Sequence, residues 1–168
     1  MSNKNKLSQV KIIFGIGSNL GDREKNLKIA LEKLANYLSL RKIITSKILK
    51  NPALLPPNAP KDWDIEFYNI AVSAIIDIEK FAPKKILEVI KKIEIEIGRN
   101  STHKWSPREI DIDILAIDEI FIEDGNILKI PHYGLFEREF FYKTMQEIEP
   151  KLLEKLIKKK NTLKKNTL

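Results

Sequence analysis

The 168-residue chain has no cysteine, which excludes a disulfide framework and any thiolate metal centre and fits a reducing compartment. No apolar run approaches the ~20 residues of a membrane-spanning helix. The first ten residues are polar and lysine-bearing, so neither a transmembrane segment nor a signal peptide is expected, and the expected setting is the cytoplasm with no membrane partner. Acidic residues are in deficit, giving a net charge of +7 and a pI near 9.4. That excess is concentrated at one end: residues 151–168 carry seven lysines and one glutamate, a net of +6, which leaves +1 for everything before them. A basic face would suggest a nucleic-acid partner, whereas a basic tail ending in a duplicated Lys-Lys-Asn-Thr-Leu reads as solvated, low-complexity sequence, and no nucleic-acid partner is expected. The length suits one domain with a sizeable core, taken as residues 1–158, followed by a tail at 159–168.

The carboxylates that matter are patterned. In Trp105-Ser106-Pro107-Arg108-Glu109-Ile110-Asp111-Ile112-Asp113-Ile114-Leu115, isoleucine and aspartate alternate with period two. The alternation predicts a β-strand that turns its isoleucines to a core and Asp111 and Asp113 to the other face, about 7 Å apart. Two readings fit that pair. One is an antiparallel strand with a wet face, and the other is a grip for Mg²⁺ bearing a polyphosphate. Arg108, Pro107 and Trp105 add a guanidinium, a fixed backbone and a stacking ring within nine residues, a combination suited to a nucleoside triphosphate.

Upstream, residues 10–16 form an apolar run that predicts a buried strand, ending in Gly17-Ser18-Asn19-Leu20-Gly21-Asp22. Gly15, Gly17 and Gly21 at an expected strand-to-helix turn are similar to a dinucleotide-binding loop, but in the spacing G-x-G-x-x-x-G. A helix should follow, with Leu27, Ala30, Leu31, Leu34 and Leu38 on one side and Asp22 or a neighbour as its cap. Residues 42–49 predict a single second strand, and the four prolines between Asn51 and Pro60 predict a long irregular loop over roughly 50–66, either a lid or an inert excursion. Residues 67–78 predict a long strand with Phe67, Asn69, Ala71 and Ser73 on one face. Asn69 is the odd residue there, because its amide must pair either with the edge of a heterocycle or with nearby loop backbone.

A second helix is expected from Pro83 to a stop at Gly98, with Ile86, Ile90, Ile93 and Ile97 down one side. Residues 99–104 read as a polar loop before the central strand. A hairpin should follow over residues 116–126, then a break at Pro131-His132-Tyr133-Gly134 and two short helices near 135–145 and 150–158. Strand, helix, strand, strand, helix, strand is the order of a ferredoxin-like α+β fold, an antiparallel sheet covered by helices, here with an added small hairpin and terminal helices.

With these pieces assembled, the chain resembles the 6-hydroxymethyl-7,8-dihydropterin pyrophosphokinase family, from about Lys11 to Ile148. The resemblance rests on Gly17-Ser18-Asn19-Leu20, on Ala59-Pro60-Lys61-Asp62-Trp63-Asp64-Ile65 leading into Phe67-Tyr68-Asn69, and on Glu94 before Gly98-Arg99. Its strongest part is Trp105-Ser106-Pro107-Arg108 with Asp111-Ile112-Asp113-Ile114, followed by Pro131-His132. It implies diphosphate transfer from ATP to 6-hydroxymethyl-7,8-dihydropterin, giving AMP, in folate biosynthesis.

Carried over by position, the resemblance gives Asp111 and Asp113 to two Mg²⁺ ions. It gives Asn69 to the pterin edge, Phe67 and Phe140 to the two faces of the ring, and the backbone at Asn51 and Pro52 to the rest of that pocket. For the co-substrate ATP it implies Glu94, Trp105, Ile114, His132, Tyr133 and Arg138, with Lys91 beside them. Arg99 and Arg108 become the mobile arginines that close over the phosphates, and Asp113 is a candidate for brief proton acceptance. It also implies a monomer with scope to dock with dihydropteroate synthase. Three rivals stand beside it: a metal-dependent phosphotransferase or phosphodiesterase with another acceptor, a nucleic-acid-binding module, and a catalytically dead scaffold.

Overall fold

A computed structural model describes residues 8–100, 103, 105–125 and 127–165. Parts of the loop expected over 99–104 and of the turn expected over 123–126, and the last three residues of the basic tail, lie outside the described residues.

The chain runs β1 (Gln9–Ser18), α1 (Arg23–Tyr37), β2 (Arg41–Thr45), β3 (Leu49–Asn51), β4 (Phe67–Asp77), α2 (Pro83–Ile97) and β5 (Asp111–Ile117). The hairpin β6 (Ile122–Asp124) and β7 (Leu128–Ile130) follows, then α3 (Glu139–Ile148) and α4 (Pro150–Lys165). The main sheet has the order β2-β4-β1-β5, with β3 also on β4, and every neighbouring pair is antiparallel. This is the expected ferredoxin-like α+β arrangement.

Each helix forms for a reason visible in its residues. The Asp22 carboxylate caps α1 by accepting the Lys25 amide at 3.1 Å, and Leu27, Ala30 and Leu34 recur at helical spacing on the buried side. In α2, Pro83 opens the first turn, Ile86, Ile90 and Ile93 face inward, and Gly98 closes the helix at φ 114°, a backbone shape that a side chain would strain. Both helices cover one face of the sheet, over Ile12, Phe14, Ile16, Val72, Ile76 and Ile112.

The opposite face is covered only in part. Phe141 and Met145 of α3 and Leu152, Leu153 and Leu156 of α4 bury Ile13 and Leu115. Glu149 pins the junction of these helices by accepting Lys11 Nζ at 2.7 Å and the Ser73 hydroxyl at 2.7 Å. Toward the Ser18 end of β1 this face opens into a cleft.

Five expectations are corrected. Residues 42–49 make two strands, because Ser46 leaves the ladder: its amide donates to the Ala71 carbonyl and its hydroxyl accepts the Ala71 amide, both at 2.9 Å. Asn51, read as loop, sits in β3 opposite Phe67. Gly15 and Gly17 lie inside β1, not in a turn, and of the three glycines only Gly21 has a positive φ. The helix expected at 135–145 starts at Glu139, because Tyr133–Phe136 form a 3₁₀ turn after a cis Ile130–Pro131 bond. α4 also continues to Lys165, past the expected end near Lys158, with Lys160 Nζ 4.1 Å from the Phe136 ring centroid.

Candidate active site

Sheet register assembles the site. Asn69 of β4, Gly17 of β1 and Asp111 of β5 stand side by side on one rung, and Ala71, Gly15 and Asp113 on the next. Side chains opposite one another share a face, so both carboxylates and the Asn69 amide project to the open side. The two glycines make the space between them. A Cβ on Gly17 would lie 2.5 Å from Asn69 Oδ1, and one on Gly15 would lie 2.8 Å from the Phe141 ring.

The cleft over this floor encloses about 70 Å³. Phe67, Asn69, Asn51, Trp105, Arg108, Asp111, Asp113, Arg138 and Phe140 all line it, so nine residues named from the sequence converge on one cavity. Asn69 is buried and donates through Nδ2 to Asn51 Oδ1 at 2.5 Å, while Asn51 Nδ2 donates to the Pro52 carbonyl at 3.0 Å. Asn51 thus acts through its side chain, where only its backbone was expected. Pro52 does not line the cleft, and Leu54 of the same loop does. Phe140 meets Phe141 edge-on with centroids 4.5 Å apart, which holds one wall of the slot.

The charged end is a network. Arg99 donates to Glu94 Oε1 at 2.6 Å and to Asp111 Oδ1 at 2.8 Å, and Arg108 Nη1 lies 3.4 Å from Asp111 Oδ2. Glu94 is almost fully buried. Its carboxylate also accepts the Ile112 amide at 3.0 Å and Lys91 Nζ at 3.1 Å. Expected as an ATP contact, Glu94 is committed within the protein to Arg99 and the edge of β5. A buried carboxylate needs such donors, and it finds three.

Asp113 behaves differently. Burial and the neighbouring Asp111 charge push its carboxyl up to about 7, opposed by the Arg138 guanidinium. His132 lies beside it, with Nε2 3.6 Å from Asp113 Oδ1. Burial and Arg138 hold the imidazole down to about 4, and its Nδ1 accepts the Gly134 amide at 3.0 Å. The ring is therefore neutral, with its proton on Nε2 facing Asp113.

A second hollow of about 570 Å³ adjoins the cleft at Asp113, between α2 and the β6–β7 hairpin, and takes in Lys91, Ile114, His132 and Tyr133. The Ile114 side chain belongs to the core, so only its main chain can serve a ligand. β5 is an edge strand; the Ile112 amide points away from β1 toward Glu94, and the Ile114 amide, two residues on, points to the same edge. Arg138 donates to the Tyr133 hydroxyl at 2.6 Å, which joins the two hollows across their rim.

The sequence reading missed Gly15 and Gly17 as the floor, Leu54 and Phe141 as walls, and a structural role for Asn19. Periodicity could have placed the glycines within the strand. Two carboxylates on one face suit Mg²⁺, which takes one or two carboxylates and completes its shell with phosphate and water. No cluster of three or more His, Cys, Asp or Glu able to hold a metal occurs among the described residues, so a metal here would share its ligands with a substrate. Among those residues no helix is long and apolar enough to cross a membrane.

Comparison with known proteins gives concordant results. The family model described as 7,8-dihydro-6-hydroxymethylpterin-pyrophosphokinase (HPPK) matches residues 13–150. The 2-amino-4-hydroxy-6-hydroxymethyldihydropteridine pyrophosphokinase of Aquifex aeolicus is 36% identical over 164 residues, covering 91% of this chain and 93% of that protein. The folate synthesis bifunctional protein of Chlamydia trachomatis is 35% identical over 140 residues, 83% of this chain but 30% of that protein. The chain thus spans under a third of the bifunctional relative. A crystal structure of Plasmodium falciparum HPPK-DHPS, a triple mutant with pteroate, matches the fold with a TM-score of 0.59 at 15% identity, over 94% of this chain and 44% of that one.

Proposed function

We infer the function from the premise that this chain belongs to the 7,8-dihydro-6-hydroxymethylpterin pyrophosphokinase family: it transfers a diphosphate from ATP to 6-hydroxymethyl-7,8-dihydropterin, releasing AMP, in folate biosynthesis. The observation that carries the reading is the pair of rungs that puts the Asn69 amide beside Asp111 and Asp113 across two glycines.

In this reading the pterin lies between Phe67 and Phe140, and the Asn69 amide, held by Asn51, pairs with its polar edge. ATP occupies the second hollow, with its base against the Ile114 main chain at the open edge of β5 and its phosphates reaching Arg138, His132 and Tyr133. Trp105, on the cleft wall, closes over the junction. The hydroxymethyl oxygen attacks the β-phosphorus and the bond to the α-phosphate oxygen breaks. Asp111 and Asp113 would hold Mg²⁺, two ions in our proposal, which supply charge neutralisation and phosphate orientation when bound.

The chain's own groups do the rest. Arg99 and Arg108 neutralise Asp111 in the free protein and transfer their charge to the phosphates as ATP binds. Glu94 keeps Arg99 within reach and sets its direction. Asp113, which lines both hollows, takes the hydroxymethyl proton. The neutral His132 donates from Nε2 without adding repulsion toward Arg138. We further propose a monomeric cytoplasmic enzyme formed by residues 1–158, with 159–168 as an appended basic segment. Docking with dihydropteroate synthase is proposed because the structural relative from Plasmodium falciparum is an HPPK-DHPS.

The test is chromatography of products from ATP, Mg²⁺ and the pterin alcohol. AMP that appears only with the pterin, and falls about 100-fold or more in Asp111→Ala and Asp113→Ala proteins that remain folded, supports the reading. ADP in place of AMP would overturn it.

A further inference from the structure

Asn19 follows β1 and is 2% exposed, yet it lines neither hollow. Its Oδ1 accepts the Arg108 amide at 2.9 Å and its own amide donates to the Arg108 carbonyl at 3.2 Å, so one residue holds both polar groups of the Arg108 main chain. Its remaining donor, Nδ2, reaches the Ile65 carbonyl at 3.1 Å. Ile65 ends the proline-rich loop, two residues before Phe67, the first wall of the pterin slot. Trp63 of that loop and His103 of the Arg108 segment bring their rings within 6.2 Å, so the two segments also meet further out. Asn19 is a buried amide with both ends in use, and each end grips a different segment of the site.

We propose that Asn19 is a positioning residue that couples the pterin loop to the placement of Arg108. This rests on the pyrophosphokinase reading above. Through Oδ1 it fixes where the Arg108 backbone begins its reach toward the phosphates. Through Nδ2 it ties that position to the loop that carries Leu54 and leads into Phe67. Order imposed on the loop by the pterin is thereby passed to the arginine, and the guanidinium is held on line only when the acceptor is present. A displacement of about 1 Å in such a group costs on the order of 100-fold in rate.

The two ends of the amide separate experimentally. Asn19→Asp keeps an acceptor for Arg108 but replaces the donor to Ile65 with a repelling oxygen, so pterin order no longer reaches the arginine: KM for the pterin should rise about 10-fold and kcat fall about 3- to 10-fold. Asn19→Ala loses both ends, and kcat should fall about 10- to 100-fold. The decisive experiment is a double-mutant cycle with Arg108→Lys, read as single-turnover AMP formation so that slow chemistry is still measured. If Asn19 acts through Arg108, the kcat loss of Asn19→Ala shrinks to under about 3-fold in the Arg108→Lys background. Equal losses in both backgrounds, or an Asn19→Asp kcat equal to that of the wild type, overturn the proposal. Should Asn19→Ala fail to fold by thermal melting, Asn19→Ser takes its place in the cycle. Wild-type protein that makes no pterin-dependent AMP would instead sink the functional reading itself.

Discussion

Replacing Asp113 with asparagine should stabilise the ligand-free protein while abolishing its activity. The carboxyl is held at about 7 against an ordinary value of 3.8, so between these pH values the folded protein keeps a proton that the unfolded chain has released. A folded pKa above the unfolded one means that stability falls as pH rises from about 4 through 7 and then levels. The full gap is worth up to about 4 kcal/mol. The side chain is 29% exposed and opens into a wet cleft, so screening leaves about 1–2 kcal/mol of actual penalty. Asparagine fills the same volume without the charge. For a chain of this size the relief should appear as a Tm higher by roughly 3–8 °C at pH 8, measured by scanning calorimetry in EDTA without nucleotide. The advantage should shrink steadily toward pH 4. A variant no more stable than wild type at pH 8, or one whose advantage grows on acidification, would show that burial and Asp111 do not strain this carboxylate.

Gly17→Ala would bring a methyl within 2.5 Å of Asn69 Oδ1, so KM for the pterin should rise about 10-fold or more while ATP binding, followed by calorimetry, stays near wild type. Glu94→Gln removes the charge between Arg99 and Lys91 while keeping an acceptor for the Ile112 amide; a loss of about 1–3 kcal/mol in urea denaturation and a several-fold fall in kcat are expected. The His132 imidazole is held down to about 4, below its ordinary 6.5, so the stability of its neutral form is present above 6.5 and lost as pH falls toward 4. His132→Gln should flatten that part of the stability–pH curve, and identical curves would refute the assignment.

Strands and helices were legible wherever one face was apolar at a regular period. The Asp-Ile alternation of β5 and the isoleucine spacing of α2 each carry their own signal, and both elements lie where expected. What stayed hidden depended on partners far along the chain. Gly15 and Gly17 look like a nucleotide-binding turn until β4 and β5 are set on either side of them. The break at Ser46 arises from Ala71, and the part played by Glu94 arises from Ile112 and Arg99, neither of which local spacing can reveal. The repeated pentapeptide at its end masks the last turns of α4, although its lysines are good helix formers. Residues lining the cleft fared better: nine of the thirteen were named, with Asn51, Arg138 and Phe140 among them through the family resemblance alone, whereas Gly15, Gly17, Leu54 and Phe141 were not.

The two borders of the sheet have different consequences for how the molecule behaves at high concentration. On β5, Glu94 caps the Ile112 amide and the His132 amide takes the Leu115 carbonyl, so little unpaired ladder is left to recruit a foreign strand. Only the main chain around Ile114 is left between them, too short a stretch to template a fibril. At β2 the guard is of another kind: Ile43 and Ile44 are exposed, and Lys42 at φ 50° with a register shift beside it twists that border out of line for edge-to-edge stacking. Colloidal stability on one side is maintained by plugging and on the other by deformation, and substitutions that relax Lys42 are where aggregation would begin.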